Sequence, residues 1–156
     1  MSLEGTHESR PVLQDSFSAN APRLSPDGRL LAYISDESGR NEVYVAPDPQ
    51  MNGKWVISNG GVDCAPVWDP PGKALYYAQT GTVLKVDVSQ EPTISFSPPQ
   101  KIVTLPASVI SIHDISRDGN KFLVTSAEEI TANATQLTVV LGWFSELRQK
   151  FSSLKK

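Results

Sequence analysis

Two residues that could take part in acid–base chemistry stand side by side, His113 and Asp114. A histidine hydrogen-bonded to a carboxylate serves as the general base in Ser-His-Asp catalysis. The surrounding segment, however, is predicted to be a β-strand, in which adjacent side chains point to opposite faces and cannot easily bond to each other. The chain also lacks the Gly-x-Ser-x-Gly sequence of a nucleophile elbow. We therefore predict no catalytic residue and interpret His113 as a packed or channel-facing histidine.

Metal or cofactor binding has little support in the sequence. A Ca²⁺ site needs six to eight oxygen ligands, and the acidic connection Asp36-Glu37-Ser38-Gly39 offers too few of them. The second acidic pair, Glu128-Glu129, falls at the matching place further along the chain. The single cysteine, Cys64, excludes a disulfide within the chain and a cysteine-based zinc site. We expect solvated acidic loops, a packed cysteine and no cofactor.

Charge and hydropathy exclude two classes of partner. The net charge is −3, whereas phosphate binding requires a basic surface, so nucleic acid is not expected. Apolar runs are all shorter than the ~18 residues that span a membrane. Residues 1–10 form a polar leader without the apolar core of a signal peptide.

A turn-forming octet recurs along the chain. APRLSPDG at 21–28 returns as APVWDPPG at 65–72, an offset of 44 residues between Gly28 and Gly72. A third copy, HDISRDG at 113–119, ends 47 residues after Gly72. An apolar strand follows each copy, and periods of 40–50 residues with several short strands are typical of propeller blades.

The octet has the chemistry of a β-turn. Ser25-Pro26-Asp27-Gly28 places serine, proline and glycine where a type I turn prefers them. In the second copy, Pro71 occupies a position that type I turns disfavour, so that turn is predicted to be of another type. The residues assigned to this structural turn motif are Ser25, Pro26, Asp27, Gly28, Gly72, Asp118 and Gly119.

The sequence therefore predicts an all-β fold, a β-propeller segment of about three four-stranded antiparallel blades within residues 11–142. The blades cover about residues 21–58, 65–105 and 112–141. After its first strand, unit one is predicted to contain strands at 30–34, 42–45 and 55–57. The corresponding strands of unit two are 74–78, 83–86 and 101–105, and those of unit three are 121–124 and 137–141.

The third unit lacks a fourth strand. Residues 11–15 are β-prone and could complete the third blade, in this molecule or a neighbouring one, or could start an incomplete blade. Residues 143–156 are predicted to form a short C-terminal helix, because apolar side chains recur there at helical spacing. This helix caps the last blade or docks a partner.

The ordered series SPDGRLLAYISDESGRNEVYV, GKWVISNGG, APVWDPPGKALYY, DISRDGNKFLV and LTVVLGWFSEL resembles the WD-repeat-like, TolB-like β-propeller repeats. More narrowly, it resembles the C-terminal end of the propeller region attached to bacterial eukaryotic-type serine/threonine kinases. The chain departs from that pattern at Pro71 and Gly142, and it contains no kinase motif.

The resemblance implies a ring of six to eight blades, of which this chain supplies about three. Its end faces would then be exposed, so either the chain is a fragment of a longer propeller or copies of it associate. The implied function is a non-catalytic interaction or scaffold module with a protein or peptide partner. The resemblance to kinase-attached propellers implies the sensory tail of a signalling protein. The alternatives are a propeller that gates a peptidase and a TolB-like envelope protein, for which the resemblance suggests an extracytoplasmic location.

Overall fold

The structure is a computed structural model, and it describes residues 11–13, 16–48 and 52–127. In these ranges the chain forms eleven strands and is all-β, as the sequence predicts. Several sequence predictions lie outside the described residues: the leader 1–10, the acidic pair Glu128-Glu129, the strand 137–141 and the helix 143–156.

The first unit is a four-stranded antiparallel meander of β1 (Ala19–Leu24), β2 (Leu30–Ser35), β3 (Glu42–Pro47) and β4 (Trp55–Val56). The central strands β2 and β3 are buried along almost their whole length. Both strands carry apolar side chains on both faces, which is the pattern of strands buried on two sides rather than of a sheet with one solvated face.

The second unit repeats this meander with β5 (Val67–Trp68), β6 (Ala74–Gln79), β7 (Thr82–Ser89) and β9 (Gln100–Thr104). One further strand, β8 (Ser95–Phe96), was not predicted. It pairs with the last residues of the long strand β7, whereas β9 pairs with the first ones. Two prolines, at positions 98 and 99, separate β8 from β9, and they interrupt pairing because proline has no N–H to donate.

The third unit contributes β10 (Val109–Ile115) and β11 (Phe122–Ser126), an antiparallel pair. The inner strands of the three units, β1, β5 and β10, contact one another in sequence order. The sheets are therefore arranged around a common axis with their first strands innermost, which is the architecture of a β-propeller arc.

Apolar clusters between the sheets hold the arc together. Unit one contributes Leu30, Ala32, Val43 and Val45 to a cluster that it shares with unit two. A second cluster joins units two and three: Val67, Ala74, Tyr76, Val83, Ile112 and Ile115. The neighbours Tyr76 and Tyr77 point to opposite faces of unit two, so each lies in a different cluster, as strand geometry predicts.

All three turns of the repeat adopt the same hydrogen-bond pattern. The glycine N–H at the fourth position donates to the carbonyl of the first residue, at 2.8 Å for Gly28, 2.9 Å for Gly72 and 2.8 Å for Gly119. The expectation of a different second turn is therefore corrected, because its closing bond and its left-handed glycine are retained. Asp69 makes this possible: its Oδ1 accepts from the N–H of Ala74 at 2.9 Å, as the hydroxyl of Ser25 accepts from Leu30 at 3.0 Å.

Two glycines of this motif allow a matched stability test. Both have φ near +70°, but a Cβ on Gly28 would meet nothing within 4 Å, whereas one on Gly72 would lie 3.2 Å from Cδ of Pro26. We expect Gly28→Ala to cost about 1 kcal/mol through the left-handed backbone alone. Gly72→Ala should cost about 0.5–1 kcal/mol more, because the proline ring of unit one must move. Chemical denaturation of both variants measures the difference, and equal losses would contradict the predicted contact.

Of the predicted strand at residues 11–15, the structure describes residues 11–13. Residues 11–13 form no strand. Leu13 packs on the face of unit one that points away from unit two, against the cluster of Leu31, Tyr33, Tyr44 and Ala46. This face is apolar, so the leucine of the lead-in covers part of it. Completion of the third blade by residues 11–15 stays a prediction, since Gln14, Asp15 and the outer part of unit three lie outside the described residues.

Candidate functional site

An axial groove lies at the end of the arc where the repeat turns cluster, with a volume of about 380 Å³. All three units contribute to it, because their inner strands end there. The residues that line the groove are Arg23, Leu24, Pro26, Val67, Trp68, Asp69, Pro70, His113 and Asp114. Four of these carry polar or charged groups, a composition suited to fixing the orientation of a ligand.

Trp68 forms the fixed floor of the groove. Its side chain is 7% exposed and belongs to the cluster between units one and two. Its indole Nε1–H donates to the carbonyl oxygen of Arg23 at 3.0 Å. The tryptophan thereby joins the inner strands of two units directly, so that the groove is held by packed sheets rather than by loops.

His113 is exposed, so the packed alternative is wrong and the channel-facing one agrees with its place in the groove. The register of β10 shifts between Ile112 and Asp114, which leaves His113 in a β-bulge. Bulges commonly re-aim a side chain next to a functional site. The ring Nε2 lies 2.6 Å from Oγ1 of Thr125, while Oδ1 of Asp114 accepts from the N–H of Ile115 at 2.8 Å. Each side chain therefore has its own partner, and no histidine–aspartate pair is formed.

The acidic connection of unit one makes local contacts. Asp36 Oδ1 accepts from the N–H of Ser18 at 2.9 Å, and Glu37 forms an ion pair with Lys54. Within the described ranges, no group of three or more His, Cys, Asp or Glu side chains is arranged to hold a metal ion. Cys64 is half-buried and packs against the cluster of units two and three.

Sequence reasoning missed a buried carboxylate at the start of β3. Glu42 is 2% exposed, and it accepts hydrogen bonds from Arg40 Nε at 2.6 Å, from Gly61 N at 3.1 Å and from the hydroxyl of Ser58. Burial raises the pKa of Glu42, but these donors, with Ser58 first, outweigh it and hold the pKa below its usual 4.5. The sequence signal for this buried carboxylate was an acidic residue directly before the apolar run 43–45. Its hydrogen-bond partners Ser58 and Gly61 lie 16 and 19 residues further along the chain.

In the part of the chain that the structure describes, no helix is long and apolar enough to cross a membrane.

The fold and the groove together define the class: an arc of β-propeller blades with a polar axial opening. No family model matches the chain.

Two proteins are similar to this chain, and both are named TolB. The chain is 33% identical over 70 residues to the Tol-Pal system protein TolB of Alcanivorax borkumensis, a match that covers 44% of this chain and 16% of that protein. The crystal structure of TolB from Acinetobacter baumannii superposes with a TM-score of 0.44 at 16% identity, over 77% of this chain and 40% of that one. The chain thus spans less than half the length of either TolB protein. The sequence match supports the TolB-like part of the sequence resemblance.

Proposed function

We propose that this chain is a non-catalytic protein-interaction module that binds an extended segment of a partner in the axial groove. The single observation that carries the proposal is the convergence of Arg23, Trp68 and His113, one from each unit, on one opening. Ligand pockets of about 300–1,000 Å³ combine a mostly apolar lining with a few polar groups that fix orientation, and the same combination suits a short peptide segment.

The chemistry around the groove supports binding rather than turnover. Asp69 uses its carboxylate to organise its own turn, where Oδ1 accepts from the N–H groups of Lys73 at 2.7 Å and Ala74 at 2.9 Å. His113 and Asp114 bond to different partners, so these two residues do not form the histidine–carboxylate pair of a catalytic triad. A general base must reach the proton that it removes and must itself be oriented.

Similarity to a Tol-Pal system protein supports the envelope-protein alternative over the other two. We therefore place the proposed interaction in a TolB-like assembly at the cell envelope. The two other functions, the sensory tail of a signalling protein and the gate of a peptidase, are supported by the sequence resemblance alone.

A phage-displayed random peptide library, selected on the immobilised protein, tests this function. We expect the enriched peptides to bind Arg23→Ala and His113→Ala at least tenfold more weakly, since each substitution removes a polar side chain from the groove. Lys101→Ala is the matched control, because Lys101 is an exposed cation on the outer strand β9. Peptides that bind all three variants like the original protein, or a selection that enriches none, would overturn the proposal.

A further inference from the structure

The repeat fixes which neighbour each side chain faces. In unit two, Trp68, Leu75 and Tyr77 point back towards unit one and are 7%, 0% and 1% exposed. We call this surface the leading face of the unit. The residues 44 positions earlier, at the same places in the repeat, are Leu24, Leu31 and Tyr33, and they form the leading face of unit one.

The leading face of unit one is only partly covered. Leu13 packs on it, and Leu31 and Tyr33 are buried. Leu24 is nevertheless 56% exposed, whereas its counterpart Trp68 is 7% exposed. An apolar groove of about 550 Å³ remains beside Leu24 and Leu31. In unit two, the corresponding space is filled by the sheet of unit one.

The opposite surface of each unit faces the following unit, and we call it the trailing face. In unit three, this face also leaves an apolar side chain exposed. Ala32 in unit one and Tyr76 in unit two are buried against the following unit, at 0% and 8% exposure. The same repeat position in unit three is Leu123, which is 64% exposed. The register pairs Leu123 with Asp114, whereas Phe122 and Ile115 point to the cluster shared with unit two. Leu123 therefore points away from unit two.

We propose that the trailing face of unit three in one copy packs on the leading face of unit one in a second copy. The contact continues an interface that this chain already makes twice internally, between the trailing face of one unit and the leading face of the next. Leu123 of the first copy would enter the groove beside Leu24 and Leu31 of the second copy, as the internal interface places Ala32 beside Trp68 and Leu75.

The size of the contact supports a second copy as the occupant. A two-copy ring would contain two such interfaces, and four faces of about 500 Å² each would remove about 2,000 Å² from water, the area of a stable protein interface. The contact is heterologous, because two different faces meet, and two copies can close it into a ring. The apolar groove and the axial groove share Arg23 and Leu24, whereas His113 lines the axial groove and Leu123 lies on the trailing face of unit three. Leu123→Asp therefore tests this interface and His113→Ala the peptide groove, so either proposal can fail alone.

Light scattering with size exclusion tests the interface. We expect the unmodified chain to have about twice the chain mass of 17.0 kDa, whereas Leu24→Asp and Leu123→Asp should each give the single-chain mass. Both leucines are more than half exposed, so both variants should fold, and circular dichroism with Leu24→Ser and Leu123→Ser checks this. Ile102→Asp is the control, since Ile102 is 47% exposed on the outer strand β9, away from both faces.

Mixing the two aspartate variants distinguishes the head-to-tail contact from a symmetric one. Leu24→Asp retains an intact trailing face and Leu123→Asp an intact leading face, so their mixture should regain association through one intact interface. A single-chain mass for the unmodified protein would overturn the proposal. So would association that survives Leu24→Asp or Leu123→Asp, or a mixture of the two that stays at the single-chain mass.

Discussion

Trp68→Ala is expected to lower the free energy of unfolding by about 3–5 kcal/mol, the range for removing a large aromatic side chain from a packed core. The indole is 7% exposed, and its neighbours in the cluster come from both units one and two. The substitution would therefore leave a cavity between two sheets that neither sheet can fill alone. It would also remove the hydrogen bond to the carbonyl of Arg23. Urea denaturation of the two proteins measures the loss.

Two further variants separate packing from hydrogen bonding at this position. Trp68→Phe keeps an aromatic ring but removes the N–H, so we expect a smaller loss of about 1–2 kcal/mol. Ile102→Ala is the control for general apolar truncation, and because Ile102 is 47% exposed and lies away from both faces its cost should stay within about 0.5 kcal/mol. A Trp68→Ala loss as small as that of Ile102→Ala would mean that units one and two do not share a packed core.

Glu42→Ala is expected to cost about 2–3 kcal/mol. The carboxylate is 2% exposed and accepts from Ser58, Gly61 and Arg40, so its removal leaves the hydroxyl of Ser58 and the N–H of Gly61 without their acceptor. Hydrogen bonds to charged groups are worth about 1.5–3 kcal/mol, and an abandoned buried donor adds a desolvation cost. Thermal unfolding measures the change.

The contribution of Glu42 should depend on pH in a defined direction. Its folded pKa lies below 4.5, so the folded state holds the proton less tightly than the unfolded chain does. The stabilisation is therefore complete above about pH 4.5 and is lost as pH falls through the lower folded pKa. We expect the stability difference between the unmodified chain and Glu42→Gln to be constant near neutral pH and to shrink in acid.

Asp87→Ala is the control for both Glu42 experiments. Asp87 forms an ion pair with Lys85 at 2.7 Å, but its side chain is 50% exposed and the pair lies in water. Exposed ion pairs contribute about 0–1 kcal/mol, so this substitution should change stability little. If Glu42→Ala costs no more than Asp87→Ala, or if the Glu42→Gln difference widens in acid, the buried hydrogen bonds do not stabilise the fold.

Much of the strand order could be predicted because its causes are local. The pairing of β2 with β3 follows from two apolar segments on either side of a Gly-containing connection, and the predicted 30–34 and 42–45 match Leu30–Ser35 and Glu42–Pro47 closely. Strand β8 escaped prediction because it is two residues long and depends on the unusual length of its partner β7. The second turn was assigned another type because proline preferences were considered without the hydrogen bonds of Asp69.

The candidate site was beyond sequence reasoning for a different reason. Arg23 and Trp68 are 45 residues apart, and only the stacking of whole sheets brings them together. The exposure of His113 follows from a bulge in β10, which depends on how β11 pairs with it. The buried Glu42 likewise depends on a loop that folds back over β3.

The sequence by itself determined the repeat, the turns and the alternation of side chains between the two faces of each strand, because these depend on backbone preferences and on a two-residue period. Only the tertiary structure decided which of those faces are covered. Burial is a property of neighbouring sheets, and it makes Trp68 a core residue while Leu24, at the same place in the repeat, stays exposed at the end of the arc.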